Sequence, residues 1–168
     1  MLSLKNYIQK KLLENKVKSK AANNKFVGFK KSNKIAIIVD VKAFEYSAMK
    51  NILDKLLNMN KTVAVFIYGD YIESKLNCQT LCVNQEHLSM TGDIKDKNIL
   101  GAFSVNFDMV FDLRIELDLY SKFFVGKLIS PFVLTNRSDM GDCDFSINTD
   151  SDIKKFSECY LDYCLKFL

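Results

Sequence analysis

The apolar positions of this chain fall into two alternating kinds of run. Residues 34–41 and 62–68 are unbroken stretches of β-branched and apolar side chains, whereas residues 46–60 set Met49, Ile52, Leu53, Leu56 and Leu57 at helical spacing. Unbroken apolar strands are expected where helices cover both faces of a parallel sheet, so the three segments predict a βαβ unit with a right-handed crossover. The pattern repeats: a strand at 108–113, a helix at 117–129, and a strand at 132–134 just after Pro131. A short strand at 145–147 precedes a closing helix at 151–167, which Ser151 or Asp150 caps and whose stripe is Ile153, Phe156, Tyr160, Leu161 and Leu165. Between residues 72 and 104 the pattern is weaker, with a strand at 80–83 and a short helix at 98–103. The expected architecture is a three-layer, Rossmann-like α/β domain with a mostly parallel sheet.

Ahead of that domain, Leu4, Ile8, Leu12 and Leu13 recur at helical spacing with lysines between them, so residues 3–22 read as an amphipathic basic helix ended by Asn23 and Asn24. The organisation is therefore a basic helical leader over 1–25 and one α/β domain over 26–168. Charge sharpens this division. Ten of the 24 basic residues but only one of the 20 acids, Glu14, lie in the first 34 positions, giving about +9 there and about −5 on the other 134. A net charge of +4 conceals the split. Clustered positive charge raises the local concentration of polyanions and speeds their encounter.

No apolar run approaches the ~20 residues of a membrane span, and the N-terminus lacks the apolar core of a secretory signal; the expectation is a cytoplasmic protein. Five cysteines, an odd number, suit reduced thiols better than a disulfide framework. His87 is the single histidine, which rules out sites built on two histidine ligands and reads as a loop residue. The pair Cys78 and Cys82 lacks a second pair at metal-ligand spacing, so the expectation is no metal and no cofactor. The segment Asp40-Val41-Lys42-Ala43-Phe44 after the first strand has no glycine to cradle a phosphate, and Gly69-Asp70 after the second reads as an ordinary turn.

Acids do gather at predicted strand ends: Asp40, Asp70, and Asp112 with Glu116. The C-terminal ends of parallel strands are where ligands bind, so these carboxylates form an alternative catalytic set that would hold Mg²⁺. Ile37-Ile38-Val39-Asp40 and Tyr68-Gly69-Asp70-Tyr71 loosely resemble nucleases of the PIN and NYN class, although Leu134-Thr135-Asn136-Arg137 stands where those enzymes carry further acids. Lys42 replaces the second aspartate of the phosphatases that use a pair around one residue. The order of elements over 107–137 is similar to the N-terminal half of heptosyltransferase-type glycosyltransferases, without their nucleotide-sugar-binding half.

Taken together, the basic leader, residues 34–40, the segment His87-Leu88-Ser89-Met90-Thr91-Gly92-Asp93-Ile94, Phe107-Asp108-Met109-Val110-Phe111-Asp112-Leu113, Tyr120 and the aromatic closing helix resemble an uncharacterised bacterial family of small α/β proteins, a domain of unknown function. The resemblance spans nearly the whole chain and implies a fold rather than catalytic residues. It departs at Asn136-Arg137-Ser138, where relatives tend to carry a lysine or a valine-glycine pair.

The sequence thus favours a binding or accessory module over an enzyme. Lys5, Lys10, Lys11, Lys16, Lys18, Lys20, Lys25, Lys30 and Lys31, with Lys34 beyond, are the expected nucleic-acid-binding residues. Their expected partner is the phosphate backbone of RNA or of a ribonucleoprotein such as the ribosome. Tyr7 is the leader's one ring before Phe26, so base stacking contributes little. The alternatives are a Mg²⁺-dependent nuclease or phosphoryl-transfer enzyme using the four acids, an anionic membrane surface met by the apolar stripe and lysines, and a protein partner that completes a larger assembly.

Overall fold

The unbroken apolar run after Asn33 forms the central strand of the sheet. In the computed structural model, which describes residues 11–13, 28–70, 73, 75–89, 91–115, 118–136, 143–147, 149, 152–162 and 166, strand β1 is Lys34–Asp40, and all but its first residue are buried. It is followed by helix α1 (Tyr46–Asn58), β2 (Thr62–Tyr68), β3 (Gln79–Val83), helix α2 (Lys97–Phe103), β4 (Met109–Asp112), helix α3 (Leu119–Lys127), β5 (Val133–Thr135), β6 (Phe145–Ser146) and the closing helix α4 (Ile153–Lys155). All six strands are parallel, in the order β3-β2-β1-β4-β5-β6. The chain winds outward from β1 to one edge, returns to β4 on the other side of β1, and winds to the opposite edge. The direction of winding reverses between β1 and β4.

Alternation along β1 divides the core. Ile35, Ile37 and Val39 meet Met49, Ile52, Leu53 and Leu56 of α1 and Phe156 and Leu161 at the C-terminus. Ala36 and Ile38 meet Ile99, Ala102 and Phe103 of α2 and Phe123, Phe124 and Leu128 of α3. Phe66 of β2 packs on Phe103 with ring centroids 4.8 Å apart. Leu13, in the helical residues 11–13, is fully buried in the second cluster, while Lys11 and Leu12 are exposed. Of the leader's apolar stripe, Leu13 therefore packs into the second core cluster while Leu12 stays exposed. The remainder of the predicted leader helix, with its Asn23-Asn24 end, lies outside the described residues.

Helix α1 ends two residues before its predicted limit. Asn60 takes a left-handed φ of 59°, its N–H bonds the Leu57 carbonyl, and the Lys61 N–H bonds the Leu56 carbonyl at 3.1 Å. These two bonds satisfy the terminal carbonyls of the helix, and the left-handed residue turns the chain back toward β2. The closing helix differs more. Asp152, rather than Ser151 or Asp150, is the N-cap, its carboxylate accepting from the Lys155 N–H at 3.0 Å. Beyond it, Phe156–Tyr160 is π-helical. Phe156 and Leu161 are both fully buried, and five residues bring two side chains to one face in a π turn but not in an α turn.

Glycine is required at position 69. Gly69 has φ +133°, and a Cβ there would lie 2.6 Å from Cγ1 of Val41. A Gly69→Ala change is expected to cost about 1–3 kcal/mol through strain and overlap, whereas Gly101→Ala in α2, where a Cβ meets nothing within 4 Å, is expected to gain roughly 0.5–1 kcal/mol. Urea unfolding of the two variants checks both signs, and equal effects would contradict this account.

Candidate functional site

In an open parallel sheet the loops after β1 and β4 diverge where the winding reverses, leaving a crevice outside the C-terminal strand ends. Here that crevice is crossed by the protein's own side chains. Asp112, the last residue of β4, and Arg114 are both buried, at 0% and 2% exposure. The Arg114 guanidinium donates from Nε to Oδ1 of Asp112 at 2.7 Å and from Nη2 to Oδ2 at 2.6 Å. This planar two-point pairing is the strong form of the arginine–carboxylate bond. From Nη1 the same group donates to Oγ of Ser121 at 2.9 Å.

The network continues to β2. Asp118 caps α3, with Oδ1 accepting from the Ser121 N–H at 2.6 Å, and its Oδ2 accepts from the Tyr68 hydroxyl at 2.8 Å. A run of Tyr68, Asp118, Ser121, Arg114 and Asp112 therefore spans from β2 to β4. Beneath it lies Asp40 at the end of β1, buried, accepting from the Ile115 N–H. At the outer side Tyr120 accepts from Nε2 of Gln85 at 2.9 Å. Burial raises the Tyr120 phenol above its usual pKa of 10, and the neighbouring Asp118 charge adds to the rise.

The four acids singled out from the sequence do not share one environment. The register sets Asp112 opposite Ile38, so Asp40 lies two residues, about 7 Å, farther along the neighbouring strand. Both oxygens of Asp112 are engaged by Arg114. Asp70 is exposed beyond Gly69, and Glu116 lies outside the described residues. Among the described residues no three His, Cys, Asp or Glu side chains form a metal-binding group. Just past the end of β5, Asn136 is fully buried with neither side-chain amide atom hydrogen-bonded among the described residues, while its backbone carbonyl accepts from Thr149 N–H at 3.2 Å.

Other sequence-level candidates have local structural roles. His87 closes a reciprocal cap of the 3-10 turn Gln85–His87, its Nδ1 accepting from the Asn84 N–H at 3.1 Å. Cys78 and Cys159 are free thiols, and burial pushes the Cys78 thiol up, an effect partly offset by its contact with Thr80. Gly92 has φ 76° within a loop where Asp93 N–H bonds Oγ of Ser89 and Thr91 Oγ1 bonds Oδ2 of Asp93.

The expected basic surface begins at the opposite end of the sheet. Lys5, Lys10, Lys16, Lys18, Lys20 and Lys25 lie outside the described residues. Lys30 and Lys31, in the 3-10 turn Phe29–Lys31, and Lys34, at the start of β1, are exposed. Among the described residues no carboxylate forms an ion pair with these three, in contrast to Lys50 with Asp54 and Lys55 with Asp162. No helix among the described residues is long and apolar enough to cross a membrane.

With this geometry in place, the chain's membership can be stated: residues 2–168 match the family of unknown function DUF6913, and the chain belongs to it. It matches no curated protein and no solved structure.

Replacing Arg114 by Met strands a buried Asp112 charge and is expected to cost about 3–5 kcal/mol, with much of that loss recovered when Asp112 is also made Leu. Urea unfolding of the singles and the double checks it; strictly additive losses would contradict the pairing. For Tyr120 the neutral phenol is the favoured form in the fold. Its contribution to stability is therefore complete below pH about 10 and lost as pH rises through the raised value. Absorbance titration of phenolate is expected to lose a group that ionises above the usual pKa of 10 in Tyr120→Phe, and loss of an ordinary one would contradict the assignment.

Proposed function

We propose that this protein is a non-enzymatic binding module that docks through its lysine-rich N-terminal segment, continued by Lys30, Lys31 and Lys34, on the phosphate backbone of structured RNA or of a ribonucleoprotein such as the ribosome. The observation that carries this reading is the charge partition, about +9 on 34 residues beside about −5 on the rest. Phosphates are the natural counter-group because each contact releases condensed counterions, an entropic gain that needs no shaped pocket.

Two features of the fold support it over its rivals. The crevice where a doubly wound sheet would hold a small ligand is bridged by Tyr68, Asp118, Ser121, Arg114 and Asp112. A Mg²⁺ ion shared by Asp40, Asp70, Asp112 and Glu116, as a nuclease or phosphoryl-transfer enzyme needs, must compete with the Arg114 guanidinium for Asp112. Docking on an anionic membrane needs the leader's apolar stripe, of which Leu13 is buried in the second core cluster and Leu12 alone is exposed among the described residues. A cytoplasmic location accords with an RNA partner.

Binding to bulk transfer RNA is expected to weaken linearly in log Kd against log salt. Changing Lys5, Lys10, Lys11, Lys16, Lys18 and Lys20 to Gln together is expected to lower that slope by about 4, at roughly 0.7 per lost phosphate contact. Filter binding across a salt series checks it. Affinity that does not fall with salt, or no binding at low salt, removes the proposal.

A further inference from the structure

Resting on the RNA-docking reading, we infer that Lys61 is a positioning residue for the docking surface: its buried ammonium touches no RNA but holds the turn that presents Lys30 and Lys31. Lys61 has only 6% exposure, unusual for a lysine. Its Nζ donates to the carbonyls of Phe29 at 3.1 Å, Lys30 at 3.1 Å and Ser32 at 2.5 Å, and sits 5.0 Å from the centre of the Phe29 ring. An ammonium has three donors and no acceptor; here three carbonyls of one turn receive them. The charge is thereby satisfied inside the protein, where it is withdrawn from solvent and from any polyanion.

The chain on both sides is built to make this contact. The left-handed Asn60 at the end of α1 swings Lys61 beneath the turn. On the other strand of the contact, Gly28 at φ 88° opens the turn, and Ser32 closes it by donating from its N–H and from Oγ to the Gly28 carbonyl at 3.1 and 3.0 Å. Phe29 is fully buried beneath, and Oδ2 of Asp108 accepts the N–H groups of Asn33 at 2.7 Å and Lys34 at 2.9 Å. That carboxylate is bonded to the backbone and forms no ion pair with a lysine among the described residues. Lys30, Lys31 and Lys34 thus project from a braced segment while their charge faces outward, and a surface fixed before binding loses less freedom on meeting its partner.

A double-mutant cycle on binding of the full chain to bulk transfer RNA tests this. Lys30→Gln with Lys31→Gln is expected to weaken binding and lower the salt slope by about 1 to 2, as two lost phosphate contacts would. Lys61→Met is expected to weaken binding about three- to tenfold with the slope unchanged, because positioning is lost and no contact is. In the Lys30→Gln, Lys31→Gln background it is expected to have no further effect. Gly28→Ala, which strains the same turn without altering charge, is expected to act like Lys61→Met and guards against a Lys61 variant that does not fold, with circular dichroism monitoring both.

The outcomes separate the inference from the reading beneath it. A slope lowered by about 1 in Lys61→Met means that Lys61 meets phosphate itself and overturns the positioning role. Wild-type affinity in Lys61→Met and Gly28→Ala, with weakened binding in the Lys30, Lys31 variant, overturns the inference and leaves RNA docking standing. Absence of salt-dependent RNA binding by the unmodified chain overturns RNA docking itself and the inference with it.

Discussion

Strand β1 sets the terms for everything around it. It is hydrogen-bonded to β2 on one side and β4 on the other and covered by helices on both faces, so no water reaches its middle. Buried polar groups near its two ends must then be satisfied by the protein, since an unmatched buried donor or acceptor costs about 1–3 kcal/mol. A polar cluster stands at each end. At the N-terminal end Asp108 takes the N–H groups of Asn33 and Lys34 while Lys61 takes the carbonyls of the preceding turn. At the C-terminal end Asp40 takes the Ile115 N–H, and Arg114 neutralises Asp112.

The same constraint explains what was legible in the sequence. A strand buried on both faces must be apolar at every position, and the strand at Thr62–Tyr68 was delimited by that requirement alone. The α1 stripe was equally plain, with Met49, Ile52, Leu53 and Leu56 all buried. The six-strand α/β fold and the family followed from such segments. Side-chain partnerships were harder to read. Asp112 and Glu116 read from the sequence as one acidic end, although Arg114 stands between them; the spacing Asp112-Leu113-Arg114 carries the signal of the pair, because alternate residues of an extended chain point to the same side. The closing helix departs from its sequence pattern in cap and winding for a similar reason. Its stripe reads at α spacing, but Phe156 and Leu161 reach one face through a π turn, and Asp152 caps it one residue later than Ser151.

Lysine counting shows where composition stops being informative. Lys61 lies outside the basic leader and appears in a charge tally as one more solvated cation, yet it is buried on three carbonyls. Lys50 and Lys55 are paired with Asp54 and Asp162. Lys30, Lys31 and Lys34 carry no such pair among the described residues. A sum of charges treats these six alike, whereas the field felt by a partner comes from those that are exposed and uncompensated.

The two ends of β1 therefore differ in what they offer a partner. They stand about 20 Å apart at the rise of an extended strand. At the C-terminal end the charges of Asp112 and Arg114 are matched bidentately and buried, a geometry that rigidifies the crevice. At the N-terminal end the matched cation is the buried one, and it is matched by backbone dipoles rather than by a carboxylate. The positive sign offered to solvent at that end comes from Lys30, Lys31 and Lys34, which are exposed and carry no ion pair among the described residues. Lys30, Lys31 and Lys34 follow directly on the lysine-rich segment of the sequence, so the charge partition of the chain and the exposed charge at this end of β1 have the same sign.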